Sequence, residues 1–165
     1  MGGFSIMIIL GIMMSIFYFF LAIIVLIAIY MLITYIFESI SLQTFSKNLK
    51  YKCPVLAWLP FYNKYILGKI AGTNKLGITL LVSSLITFIL GIYIFEGGTF
   101  GYIFIIFFVL LLLNFILDVV ITYKIFKKYI IKYSDILTVF SVLSLGFLRP
   151  IFMFIIRNRK EEQKN

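Results

Sequence analysis

Residues 4–37 read FSIMIILGIMMSIFYFFLAIIVLIAIYMLITYIF, 34 residues without one charge. A helix crossing a bilayer needs about 20 apolar residues. At ~1.5 Å per residue this stretch makes a rod of about 50 Å, against a hydrocarbon core of about 30 Å. It is too long for one upright crossing and short for a hairpin of two. The reading is one long, tilted helix whose beginning, residues 2–15, lies in the interface or packs on a neighbour. A turn near residues 11–15 is the alternative.

Three further apolar runs follow at residues 76–95, 102–123 and 136–156, each long enough for one helix. The 165 residues are 63% hydrophobic and 13% charged, with mean hydropathy +1.14. Soluble domains carry about 25% charged residues, so the apolar excess here must face lipid. The expectation is an all-α integral membrane bundle of about four transmembrane helices, one membrane domain over residues 1–165. No Lys or Arg precedes Lys47, and the first run far exceeds a signal peptide's 7–15-residue core, so it is expected to stay in the chain.

Charge orients the chain. Residues 38–75 hold Lys47, Lys50, Lys52, Lys64, Lys69 and Lys75, with Glu38 as their one acid. Run three is followed by Lys124, Lys127, Lys128 and Lys132, whereas residues 96–101 hold Glu96 and no base. Basic residues near span ends stay in the cytoplasm. Residues 38–75 and 124–135 are therefore expected to be cytoplasmic, and residues 96–101 external, in a multi-pass protein. The bias towards Ile, Phe, Lys, Tyr and Asn resembles an AT-rich bacterial proteome, which points to a bacterial cytoplasmic (plasma) membrane. The tail, with Arg157, Arg159, Lys160 and Lys164, breaks the alternation. Either run four crosses fully, or it turns at Arg149-Pro150 and returns. Full crossing is preferred, because residues 151–156 make a short return path.

The net charge of +9 does not point to nucleic acid, because the lysines flank apolar segments. They fit anionic headgroups and membrane lipids instead. The sequence has no His and one Cys, Cys53, which excludes His-based acid–base chemistry, Cys/His metal sites and an internal disulfide. No Lys lies within a span to activate a Ser, and Asp118 has no second intramembrane Asp beside it. The reading is non-enzymatic, with no cofactor and no metal.

Residues 54–72 are distinctive. Pro54 and Pro60 favour helical starts. From Phe61, the apolar residues 61, 62, 65, 66 and 70 share a face, and Gly72 suits a helix stop. An interfacial amphipathic helix is expected here, with Trp58, Tyr62 and Tyr65 as belt aromatics and Lys64 and Lys69 reaching headgroups. Pro60, Asn63 and Gly68 complete this platform, and Gly68-x-x-x-Gly72 is a weak packing signal. The sequence from Ala57 to Asn63, followed by Tyr65 to Ala71, resembles a motif of small, uncharacterised multi-spanning membrane proteins of Firmicutes-type bacteria. So do Tyr123 to Tyr129, Leu143-Ser144 and Pro150 to Asn158. The resemblance covers roughly residues 57–159 and implies architecture, with no activity attached.

Polar residues inside the runs come last. Asn114, Asp118 and Thr122 recur every four residues on run three, so they share a face. Thr79, Ser83, Thr87 and Gly91 stripe run two, and Thr138, Ser141 and Ser144 stripe run four; small and hydroxyl residues let helices pack closely. Arg149 either snorkels outward or pairs with Asp118. On full crossing the two stand about 10 Å or more apart in depth, too far for direct pairing; re-entry brings them level. Two functions fit. One is an accessory, assembly or immunity-type interaction protein that packs on another membrane protein or a second copy. The other is a subunit of a small oligomeric channel or transporter. Asn114 and Asp118 discriminate: contact with water favours the second, satisfaction by neighbouring helices the first.

Overall fold

Continuous apolar runs without Pro have one way to satisfy their backbone in lipid, the α-helix. The computed structural model describes residues 2–51, 53–97, 101–144 and 146–159, and among these every regular element is helical. The order is α1 (Gly2–Asn48), a 3₁₀ turn (Pro54–Trp58), α2 (Tyr62–Ile70), α3 (Asn74–Phe95), α4 (Tyr102–Tyr129), a second 3₁₀ turn (Ile131–Tyr133), α5 (Ser134–Leu143) and α6 (Arg149–Ile156). Among the described residues, three helices are long and apolar enough to cross a membrane: Leu10–Asn48, Asn74–Phe95 and Tyr102–Tyr129. Part of the expected external loop (98–100), Lys52 and the tail beyond Arg159 lie outside the described residues.

The chain divides into two units, Met1–Ile36 and Phe37–Asn165. Within the first, α1 runs unbroken through residues 11–15, with Ser15 Oγ donating to the Gly11 carbonyl at 3.0 Å. Residues 10–29 are exposed throughout. The helix continues past Phe37, because no Gly or Pro interrupts residues 38–48. It ends where Lys50 takes φ +55°, with Lys50 N–H on the Lys47 carbonyl and Tyr51 N–H on the Ser46 carbonyl. That is a Schellman stop built on a residue other than the usual glycine.

In the second unit the core gathers around the C-terminal end of α4. Ile121, Ile125, Phe126 and Tyr129 pack with Leu42, Phe45, Ile66, Leu67, Ile70, Met153 and Ile156. The first turns of α4 are largely exposed by contrast. Phe45 meets Tyr129 with ring centroids 4.7 Å apart, and Phe37 meets Phe154 at 4.9 Å.

One expectation changes. Run four is not one helix. Its residues form α5 and α6, ten and eight residues long, either side of Gly146 at φ +87°. At ~1.5 Å per residue neither reaches across a core of about 30 Å. Ser144 holds the break: its Oγ lies 3.0 Å from the Ser141 carbonyl and accepts from Leu148 N–H at 3.1 Å. Within residues 54–72, α2 starts after Phe61, whose φ of +66° makes a tight γ-turn closed by Tyr62 N–H on the Pro60 carbonyl at 2.8 Å. One face is buried through Asn63, Ile66, Leu67 and Ile70.

Gly72 ends α2 as its position suggests, at φ +75°, with Thr73 N–H on the Gly68 carbonyl at 2.9 Å. Gly68 itself packs on Gly77 of α3 rather than through Gly72. A Cβ on Gly68 would stand 2.3 Å from Gly77 Cα, and one on Gly77 would stand 2.9 Å from the Tyr65 carbonyl oxygen. Backbone meets backbone here, so no side chain can yield. Gly68→Ala and Gly77→Ala are expected to cost about 1–3 kcal/mol each by overpacking. Denaturation in mild detergent measures this; a loss under about 0.5 kcal/mol for both would contradict the close approach.

Candidate functional site

Four ionisable side chains from four helices meet in the second unit. Glu38 comes from α1, Lys64 from α2, Asp118 from α4 and Arg149 from α6. Arg149 Nη2 lies 2.6 Å from Glu38 Oε1, and Nη1 contacts Asp118 Oδ2. Lys64 Nζ lies 3.7 Å from Glu38 Oε1 and 3.4 Å from Asp118 Oδ1. Going round, the signs alternate: Arg149, Glu38, Lys64, Asp118. The ring is neutral in sum, and each charge touches two of opposite sign.

Local structure puts each member in place. Glu38 follows the uncharged run directly and sits on the face of α1 that also buries Leu42 and Phe45. Lys64 lies in the first turn of α2, just after the γ-turn. Asp118 is one turn beyond Asn114 on α4. Arg149 opens α6, where a cation is unfavourable to the helix dipole, and the two carboxylates offset that. The burial is uneven: the Arg149 and Glu38 side chains are 7% and 9% exposed, Asp118 19% and Lys64 26%. A charge this deep is costly unless paired on every side.

A void of about 10 Å³, the size of a single water, lies among Asp118, Thr122, Thr138, Ser141, Gly146 and Arg149. Thr122 is 1% exposed and its Oγ has no protein partner. The hydroxyls of run four thus lie close to the ring.

A second polar group ties α3 to α4. Asn114 Oδ1 lies 2.6 Å from Ser83 Oγ and 3.1 Å from Ser84 Oγ. Its Nδ2 donates to Thr87 Oγ1 at 2.8 Å and to the Leu110 carbonyl at 2.9 Å. Both N–H groups of the amide are engaged and its oxygen accepts from Ser83, while the Ser84 hydroxyl also reaches the Leu80 carbonyl at 2.6 Å. Of the run-two stripe, Ser83 and Thr87 meet Asn114, and Gly91 lets the Phe107 ring approach to 3.4 Å of where a Cβ would stand. Thr79 is exposed and bonds back to the Lys75 carbonyl at 3.0 Å.

The sequence-predicted residues are thus partly regrouped. Asp118 and Arg149 pair, contrary to the separation that full crossing demands. Lys64 turns into the ring and does not reach outward. Lys69 stands 4.2 Å over the Tyr51 ring. Tyr62 and Tyr65 pack on each other at 5.4 Å, and Trp58 Nε1 donates to Gln43 Oε1 at 3.3 Å. Glu38, the sole acid of the first 95 residues, is buried in the ring although it opens the expected cytoplasmic segment 38–75. Among the described residues no cluster of His, Cys, Asp and Glu could hold a metal ion. Comparison with protein-family models, curated proteins and solved structures finds no match.

Burial strips water from the Lys64 ammonium and lowers its pKa from the ordinary 10.5 to about 8; Glu38 opposes the shift and the Arg149 guanidinium adds to it. The folded chain therefore releases this proton at lower pH than the unfolded chain. Below about 8 both states hold it and the penalty is constant; between about 8 and 10.5 stability rises with pH. NMR of ¹³C-dimethylated lysines should place the Lys64 midpoint near 8, lower in Glu38→Gln and higher in Arg149→Gln. An unshifted midpoint at 10.5 would contradict the burial.

Proposed function

We propose that this chain is a non-enzymatic polytopic protein of the bacterial cytoplasmic membrane that acts through helix packing, as an accessory, assembly or immunity-type interaction protein. One observation carries the reading: the strongly polar groups of α3 and α4 find their partners inside the chain. The Asn114 amide bonds Ser83 and Thr87 of α3. Asp118 and Glu38 are neutralised by Arg149 and Lys64. A pore needs polar groups to spare for water or ions. What the chain offers instead is the apolar surface of α1 over residues 10–29, suited to lipid, a second copy or another membrane protein.

A topology goes with this reading. With three crossings and the N-terminus outside, residues 38–75 and 124–135 face the cytoplasm. The pair α5–α6 then enters and leaves from that same side. Re-entrant backbone is tolerated where protein covers it; the helices beside the break bury Ser141, Arg149, Pro150, Met153 and Ile156, and Ser144, Gly146 and Leu148 at the break are partly buried. All 15 Lys and Arg, the tail included, then lie on one side, and Glu96 is the charge on the other. The four-span alternative sends the tail outward against its charge. In this arrangement the segment at residues 54–72 lies at headgroup level, although Lys64 is spent on the ring.

The test uses the full chain with a C-terminal epitope. In sealed, right-side-out cells the epitope should resist protease. Isolated from its own membrane in mild detergent, the chain should carry a second copy or another membrane protein in fixed stoichiometry, and liposomes containing it should pass no more ions than empty ones. Ion flux that Asp118→Asn abolishes would overturn the reading in favour of a channel or transporter subunit. A cleaved epitope would overturn the topology alone.

A further inference from the structure

A second cavity, of about 360 Å³, opens where the end of α1 meets α2, away from the ion ring. Ser46, Lys50, Tyr51, Tyr62, Tyr65 and Lys69 are among its lining residues. It holds two ammonium groups and no carboxylate, so its local charge is positive, unlike the neutral ring. Ser46 lines the cavity and is 1% exposed. The volume lies at the small end of ligand sites, enough for a headgroup and too little for a whole lipid.

The shape of the backbone adds a second argument. Lys50 stands at the left-handed position of the α1 stop, φ +55°, where glycine would be unstrained. A lysine there gives up stability for a charge placed at the cavity mouth. Lys69 faces the same space from α2, its ammonium held over the Tyr51 ring at 4.2 Å. The Tyr51 hydroxyl donates to the Lys69 carbonyl at 3.3 Å, which fixes that wall.

We propose that this cavity binds a phosphate-bearing anion, with Lys50 and Lys69 supplying the charge. The inference needs the chain to be membrane-embedded and is independent of which protein it packs against. Native mass spectrometry of the full chain from neutral detergent tests it. The probes are phosphatidylglycerol, phosphatidylcholine, sn-glycerol 3-phosphate and inorganic phosphate.

Retention of phosphatidylglycerol over phosphatidylcholine, undisturbed by the soluble phosphates, assigns the site to an anionic lipid headgroup. Equal binding of glycerol phosphate or inorganic phosphate, without lipid preference, assigns it to a soluble phosphate. In either case Lys50→Gly and Lys69→Gln should each weaken binding about fivefold, as expected for one basic residue near an anionic group. Lys50→Gly is the sharper variant, since it should melt no lower than the wild type while binding less. No preference for any anionic probe, or a preference unchanged in both variants, would overturn the proposal.

Discussion

Four charges in an apolar chain must find one another or reach water, and here they find one another. The ring of Arg149, Glu38, Lys64 and Asp118 is the constraint on which the rest of the second unit depends. Each member comes from a different helix, so closing the ring fixes where residues 37–48 of α1, α2, the lower half of α4 and α6 must lie. Desolvating a charge is expensive, and a single pair rarely offsets it. Alternating signs give every charge two partners and a net charge of zero, which is the arrangement best able to do so. An intramembrane ionisable residue is a functional position by default; here its first function is architectural.

The ring also explains why run four breaks. A straight helix over residues 136–156 would carry Arg149 away from Asp118. Gly146 at φ +87° and the Ser144 hydroxyl turn the chain instead, and α6 begins at Arg149, set against both carboxylates. Higher on α4 the Asn114 amide locks α3 by hydrogen bonds alone, and at the α2–α3 turn two glycines bring backbones into contact. The three devices differ in chemistry, and each joins a different pair or set of helices.

Much of this was legible in the sequence. Runs of 20 and more apolar residues announce membrane helices, and α1 is the single long helix that residues 4–37 imply. The i, i+4 stripes of Ser83 and Thr87, and of Asn114 and Asp118, point to helix contacts, which they make. Gly72 stops α2 where its place in the pattern predicts. What the sequence hides is which distant charges pair. Glu38 and Arg149 are 111 positions apart (149 − 38), and no periodicity links them. Lys64 resembles a headgroup lysine because burial of the opposite face of α2 cannot be read from nine residues. Ser46 looks like any hydroxyl on a helix until the α1 stop and α2 close a cavity over it.

The ring is tested most directly by a double-mutant cycle on its Asp118–Arg149 link. Asp118→Asn, Arg149→Gln and the double variant are compared with the wild type by denaturation in mild detergent. Each single change leaves a buried charge short of a partner, at about 3–5 kcal/mol. The account predicts that the double variant loses less than the two single losses added together, by at least about 1 kcal/mol, because its second change removes the charge that the first left stranded. Losses that add to within about 0.5 kcal/mol would mean that the two residues do not meet, and would contradict the ring.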